Sequence, residues 1–166
     1  MIVLRGDGLE LRPLTRDDAP EHLAGEDDAQ IRAFEFPRSA TIDDVLGAVD
    51  RWLESWQNDG PVRNFGVFDV RTRALIGNVE IRITAPERVD VSYLVFPPWR
   101  RRGVATAALR IALSYAGGVL GASTATIKVL FDNEASIGVA RALGAVRVGS
   151  EPSPGGSRFE VFEREL

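Results

Sequence analysis

Two hydrophobic periods alternate along the chain, and their order predicts its secondary structure. Apolar and polar residues alternate over 9–14, which is typical of a strand with one buried face. Val45, Val49, Trp52 and Trp56 instead recur at helical spacing after the N-cap Thr41. The two patterns predict strands over 9–14, 64–70, 74–83, 89–96, 125–131, 146–150 and 159–165, and helices after Thr15, after Thr41, from about 104 to 116 and over 135–143.

The order of these elements predicts an α/β fold with one mixed central sheet of about six to seven strands and helices on both faces. The chain has 166 residues, of which 45% are hydrophobic and 27% charged, as in an ordinary globular domain. Because no repeat or linker divides it, we expect a single domain over 1–166. Residues 32–40 are predicted to be irregular.

Composition restricts the partners and cofactors that the chain can use. The net charge of −4 disfavours broad binding of nucleic acid. Without cysteine and with one histidine, the chain has no thiolate or multi-histidine metal site, so we expect no metal. No stretch is as long and apolar as a membrane span, and no signal peptide is evident, so a cytoplasmic protein without a membrane partner is expected. His22, between Glu21 and Leu23, is predicted to lie on the surface.

A basic loop between a strand and a helix is the first candidate binding site. The strand ends at 96–98, arginines occupy 100–102, and Gly103 stands where the helix begins. Helix N-terminal amides lack intrahelical partners and attract anions, and arginines strengthen the attraction. The expected ligand is therefore a phosphate or pyrophosphate. The spacing is not that of a P-loop, because the only lysine, Lys128, is far away, and the dinucleotide-binding glycine pattern is absent.

The loop sequence Arg100-x-x-Gly103-x-Ala105 resembles the pyrophosphate loop of the GNAT acyltransferase superfamily, which binds acetyl-CoA. A second segment, Asn133-x-x-Ser136-Ile137 followed by Leu143-Gly144, is similar to the corresponding segment of the Rim-type branch, the ribosomal-protein and alanine N-acetyltransferases. Residues 9–18 are also typical of that branch. On these segments the chain is identified as a member of the superfamily, which implies the α/β GNAT fold.

The resemblance implies how acetyl-CoA would bind. The strand containing 94–96 should splay from strand 125–131, and pantetheine should fill the gap and pair with the Val95 backbone. Amides from 101 to 106 should hold the pyrophosphate, and Asn133 should bind the pantetheine arm. The implied cofactor-binding residues are Leu94, Val95, Phe96, Arg100, Arg101, Arg102, Gly103, Val104, Ala105, Thr106, Asn133, Ser136 and Arg141.

The implied reaction is direct transfer of the acetyl group to a primary amine, which needs a base. Strand alternation places Glu80 and Arg82 on one face, and a turn near 85–86 would set Arg82 opposite Asp90 and Glu80 opposite Ser92. Asp90 would then have Arg82 as its partner, which favours Glu80 as the base. A one-residue slip would favour Asp90 instead.

The proton donor for the leaving thiolate is less evident. Many superfamily members place a tyrosine in the last helix, and the corresponding residue here is Ala140. Tyr93 and Ser136 are the remaining candidates. The missing tyrosine leaves open a second function, a CoA-binding sensor or partner protein without transferase activity. A third, an RNA-binding module using arginines 100–102, lacks an aromatic stacking platform. The amine could be a protein N-terminus or a small molecule, and the protein a monomer or a homodimer.

Overall fold

A mixed sheet of eight strands forms the frame of the protein. The computed structural model describes residues 2–166. The strands lie in the order β1-β2-β3-β4-β5-β6-β8-β7, and β5 and β6 form the only parallel pair among them. Their bounds are β1 Leu4–Gly6, β2 Leu9–Arg12, β3 Val62–Asp69, β4 Leu75–Ala85, β5 Arg88–Val95, β6 Thr124–Leu130, β7 Val146–Pro152 and β8 Arg158–Glu165.

Five α-helices pack on this sheet, and polar side chains cap the two that matter most for the site. Thr41 accepts from the Asp44 backbone while the Asp44 carboxylate accepts from the Thr41 backbone, which is a capping box. Asn133 accepts from the Ser136 backbone in the same way. The helices are α1 Ala19–Ala24, α2 Asp28–Ala33, α3 Ile42–Gln57, α4 Val104–Gly118 and α5 Glu134–Ala142, and 3₁₀ turns cover Arg16–Asp18 and Pro97–Trp99.

The α/β fold with a mixed sheet is confirmed, with two additions. The sheet has eight strands rather than six to seven, because the short β1 pairs with β2 at the sheet edge. Helix α2 has no counterpart among the predicted helices. It is six residues long, too short for a hydrophobic period, and it begins at the cap Asp27, which accepts from the Gln30 backbone.

Successive side chains of β4 point alternately into the hydrophobic core and toward the candidate site. Val79 and Ile81 are fully buried in the larger apolar cluster, together with residues of α4. Asn78 and Glu80, which alternate with them, face the opposite side, where Trp52 of α3 reaches Glu80. In the described chain no helix is both long and apolar enough to cross a membrane.

The parallel strands β5 and β6 separate midway, as expected. They pair only where residues 88–90 meet residues 124–126, and the rest of β5 has no partner on that side within residues 2–166. On its other side β5 stays paired with β4 as far as Val95. The separation opens a gap in the sheet and leaves one backbone edge of β5 available to a ligand.

Candidate active site

The amino end of α4 closes the mouth of this gap. Gly103 caps the helix at φ 76° and Arg101 also has a positive φ, 59°, so the chain turns sharply into the helix. A Cβ added to Gly103 would meet no atom within 4 Å, so the space in front of the amides of 104–106 is open. Those amides have no intrahelical partner and point toward that space. The geometry fits a pyrophosphate held by backbone amides.

The three arginines of the loop have different surroundings. Arg100 donates to both carboxylate oxygens of Asp27, at 2.7 and 2.8 Å, and to the Val95 carbonyl at 2.8 Å. The Arg102 guanidinium lies over the Trp99 ring, 5.3 Å from its centroid. Arg101 lines the gap. Two of the three cationic groups therefore have partners within the protein, which weakens the RNA-binding interpretation and leaves Arg101 best placed for a phosphate.

We call the gap between β5 and β6, with its walls, the cofactor groove. It has a volume of about 480 Å³ and runs from the start of α4 past Tyr93 to the start of α5. Most of the residues predicted to bind the cofactor lie on it, namely Leu94, Val95, Arg100, Arg101, Gly103, Val104, Ala105, Thr106, Asn133 and Ser136. Phe96, Arg102 and Arg141 are not among its lining residues, and Phe96 is buried against the ring of His22.

Asn133 lines the groove at the start of α5, and its Nδ2 group is free to bind a ligand. Its Oδ1 accepts from the Ser136 backbone at 3.1 Å and so caps α5. Its Nδ2 has no protein partner within residues 2–166, so it can donate to a carbonyl of a ligand in the groove. The cap and the predicted ligand contact are therefore compatible functions of one side chain.

A second cavity, the acceptor cavity, lies on the α3 side of β4 and β5. Its volume is about 500 Å³, and its walls include the aromatic residues Phe34, Phe36 and Trp52 and the carboxylate of Glu80. It shares four residues with the cofactor groove, which are Gln30, Phe34, Tyr93 and Leu94. The two cavities therefore adjoin along these four side chains. We call the shared region the junction.

Glu80 is held firmly in this cavity. Its Oε2 accepts from Trp52 Nε1 at 3.0 Å and from Asn64 Nδ2 at 3.4 Å. Its Oε1 accepts from Arg82 Nη2 at 2.7 Å. The side chain is 18% exposed, which leaves the carboxylate reachable from the cavity. These bonds orient the carboxylate while a neighbouring cation balances its charge.

The predicted register is confirmed, but the ion pair inferred from it is wrong. Arg82 lies opposite Asp90 and Glu80 opposite Ser92 in the ladder. Arg82 nevertheless turns along its own strand to Glu80, and Asp90 pairs with Lys128 at 3.5 Å. Side chains at i and i+2 share a face and a long arginine reaches either neighbour, so the register alone could not decide. Asp90 lines neither cavity, whereas Ser92 lines the acceptor cavity.

Tyr93 stands at the junction with its hydroxyl buried and without a hydrogen-bond partner among the described residues. Burial raises the pKa of its phenol, and the nearby Ser136 side chain opposes the rise without meeting hydrogen-bond geometry. The phenol therefore stays protonated near neutral pH and can donate. Ala140, where the resemblance would place a tyrosine, is fully buried in α5.

Two further residues of the site were missed in the sequence. His22 is not on the surface as predicted, because its ring packs against Trp52 and Phe96 and its Nε2 is buried without a partner. This burial lowers its pKa. Gln30 is 5% exposed, and its Oε1 also lacks a partner in the part of the chain that the structure describes. Only the spacing of Asp27 and Gln30, which suits a helix cap, could have indicated α2.

The groove suits the extended pantetheine arm, whose amides can pair with the free edge of β5, and its mouth suits a pyrophosphate. Together with the adjoining cavity, these features define a CoA-dependent acyltransferase. Within residues 2–166 no group of three or more histidine, aspartate or glutamate side chains is arranged to hold a metal ion.

Comparison with known proteins identifies the family. The model of the acetyltransferase (GNAT) domain matches residues 8–146, so the chain belongs to the GNAT acetyltransferase family and uses acetyl-CoA as its acetyl donor. YoaA of Bacillus subtilis strain 168, named an uncharacterised N-acetyltransferase, is 27% identical over 137 residues, which cover 81% of this chain and 77% of YoaA.

Solved structures share the fold. The ribosomal-protein-S5-alanine acetyltransferase from Vibrio fischeri superposes with a TM-score of 0.84 at 16% identity, over 99% of this chain and 97% of its own. The microcin C7 self-immunity acetyltransferase MccE, solved with acetyl-CoA and AMP, gives a TM-score of 0.85 at 17% identity, over 97% of this chain and 94% of its own.

Proposed function

We propose that the chain transfers acetyl directly from acetyl-CoA in the cofactor groove to a primary amine in the acceptor cavity. The observation that carries the proposal is the junction, where Gln30, Phe34, Tyr93 and Leu94 border both cavities. An amine placed there can approach a thioester without a covalent carrier on the protein. Residues 94, 95, 101 and 103–106 with Asn133 would hold the cofactor, and Ser136 would line its inner end.

Glu80 is the proposed base. Most amines are protonated near neutral pH, and the amine must lose a proton before or during attack. Glu80 is the carboxylate that reaches the acceptor cavity from β4, and its three hydrogen bonds fix its direction. Asp90 is the weaker candidate, because it is paired with Lys128 and lies outside both cavities.

Tyr93 is the proposed donor to the leaving thiolate, with Ser136 beside it. The Tyr93 hydroxyl is at the junction and makes no hydrogen bond to the described protein, so it is free to donate to a sulfur atom. A phenol with a raised pKa stabilises a thiolate chiefly by hydrogen bonding, because the thiol of a cysteine-like group has a pKa of about 8.5.

The acceptor is a protein N-terminus or a small-molecule amine. Two structural neighbours, one named for a ribosomal-protein alanine and one an immunity acetyltransferase solved with AMP, support keeping both kinds of acceptor. The acceptor cavity has aromatic walls and a volume of about 500 Å³, which admits one residue of a chain end or a compact amine. We place the reaction in the cytoplasm as part of this proposal.

Amine-dependent release of thiol from acetyl-CoA tests the proposed function. The protein is incubated with acetyl-CoA and a panel of peptides and small primary amines, while free thiol and N-acetyl product are both measured. The proposal predicts equal amounts of the two, and no acetyl group left on the protein. Tight CoA binding without thiol release from any amine would instead support the non-catalytic sensor or partner.

A further inference from the structure

Three buried side-chain polar atoms lack a hydrogen-bond partner within residues 2–166, and all three belong to residues on the two cavities. They are His22 Nε2, Gln30 Oε1 and Tyr93 OH. Buried polar atoms are nearly always satisfied in folded proteins, so such a cluster needs an explanation. Of the three, only Gln30 and Tyr93 border both cavities, where amine and thioester would meet.

Gln30 is held in place at the junction by the anchoring of α2. Asp27 caps the helix by accepting from the Gln30 backbone, and Arg100 fixes Asp27 to the cofactor loop. Beyond the other end, the Glu35 carboxylate accepts from Ser153 Oγ at 2.7 Å and from the Gly155 backbone at 2.8 Å. A short helix fixed on both sides places the Gln30 side chain at the junction, where its Oε1 is buried without a partner among residues 2–166.

We propose that Gln30 Oε1 accepts a hydrogen bond from the N–H of the acceptor amine that survives the reaction, and that this contact selects primary amines. The inference rests on the proposed function. The lone pair of the neutral amine forms the new C–N bond, the C–S bond breaks, and its electron pair leaves on sulfur, which takes the proton of the Tyr93 hydroxyl. One of the two amine protons goes to Glu80, and its return through water to Tyr93 restores both side chains. The remaining N–H becomes the amide N–H of the product and donates to Gln30.

The chemistry of the amide explains the selectivity. A primary amine retains one N–H after it has lost a proton to the base, so Oε1 is satisfied as the C–N bond forms. A secondary amine retains none, and the buried oxygen would remain without a donor. Sites that offer a buried hydrogen-bonding group discriminate strongly against ligands that cannot use it. Gln30 is thus a specificity-determining residue for the acceptor.

The test compares a primary amine accepted by the wild type with its N-methyl derivative, in wild type, Gln30→Leu and Gln57→Leu. The exposed Gln57 at the end of α3 provides the same substitution away from both cavities. We expect the wild type and Gln57→Leu to prefer the primary amine by about ten-fold or more in kcat/KM. In Gln30→Leu the ratio should fall toward one, while acetyl-CoA affinity, measured by calorimetry, is unchanged.

Leucine is close to glutamine in size, so it preserves steric exclusion of the methyl group. A primary-to-secondary ratio that stays the same in Gln30→Leu would overturn the inference and assign the preference to shape. If no amine releases thiol from acetyl-CoA with the wild type, the proposed function is wrong, whether or not Gln30 contacts the amine. The contact is then tested by calorimetry of the primary amine on CoA-saturated protein, where equal affinity in wild type and Gln30→Leu would also overturn it.

Discussion

The guanidinium of Arg100 holds the carboxylate of Asp27 through two hydrogen bonds, 2.7 and 2.8 Å long, across 73 positions of sequence. Its Nε donates to the carbonyl of Val95, the last residue of β5. One side chain therefore joins α2, the end of the splayed strand and the cofactor loop. The resemblance implied Arg100 as a cofactor-binding residue, and it does line the cofactor groove, where its guanidinium also holds Asp27 and the end of β5.

Loss of this ion pair should impair the acceptor side more than the cofactor side. In Asp27→Asn the side chain can still cap α2, but Arg100 loses its anionic partner, so α2 is held less firmly and Gln30 and Phe34 lose part of their support. We expect kcat/KM for the amine to fall by about ten-fold, with CoA affinity changed only a few-fold. Steady-state kinetics and calorimetry measure the two effects. Asp28→Asn, exposed in the same helix turn, is the control and should behave as wild type.

Gly103 should be essential for the cofactor because of the space in front of it. A Cβ at this position would enter the open space that the proposed binding mode gives to the pyrophosphate. Gly103→Ala should therefore weaken CoA binding by about ten-fold or more. Gly144 has nearly the same φ, 75° against 76°, and an equally open Cβ position, so Gly144→Ala imposes the same backbone strain outside the groove. Equal CoA affinity in both variants would refute the assignment of the loop.

His22 should make stability depend on pH in a narrow window. Burial lowers its pKa in the folded protein, so below the ordinary value of about 6.5 the unfolded chain binds a proton that the folded one does not. The free energy of unfolding should then fall as pH drops through and below 6.5, by up to about 1.4 kcal/mol per pH unit. His22→Phe, which suits the aromatic surroundings, should remove this slope.

Urea denaturation of wild type and His22→Phe from pH 5 to pH 8 measures the difference. The carboxylates are common to both proteins, so their contributions cancel in the comparison. Because His22 is the only histidine, no second imidazole confuses the result. Parallel pH dependences of the two proteins would mean that the imidazole titrates as in the unfolded chain.

Most of the sheet and the long helices could be predicted from hydrophobic periods, because a long element repeats its pattern several times. Seven strands, the long helices α3 and α4 and the register of Glu80 against Ser92 were predicted correctly. Short elements were not, since β1 and α2 have three and six residues and depend on long-range contacts. Residues of the loop and of the α5 cap could be located by motif.

The hydrophobic pattern of the sequence could not predict which side chains form ion pairs or pack together. The ladder places both Asp90 and Glu80 within reach of the long Arg82 side chain, and the choice between them depends on the surrounding packing. Likewise, the sequence does not show that His22 is buried, because its contacts with Trp52 and Phe96 depend on where α1 packs. The unpartnered oxygen of Gln30 becomes visible only when both cavities are known.

The base is tested by Glu80→Gln, because glutamine preserves the shape of glutamate but cannot take a proton. With its oxygen toward Trp52 and Asn64 it keeps those two hydrogen bonds and loses the one from Arg82. Its rate should fall by about 10²–10⁴-fold at neutral pH with CoA affinity unchanged, and higher pH should restore part of it by supplying neutral amine. Asp90→Asn is the matched control. It should break the contact with Lys128, lower stability slightly and keep most of the activity.

The most direct test of Glu80 as the base is the rate of acetyl transfer to one amine by wild type, Glu80→Gln and Asp90→Asn across a pH series. We expect a large loss of rate in Glu80→Gln alone, greatest at low pH and reduced as the amine deprotonates. Full activity in Glu80→Gln beside an inactive, folded Asp90→Asn would contradict this assignment and identify Asp90 as the base. Full activity in both would show that neither carboxylate is needed.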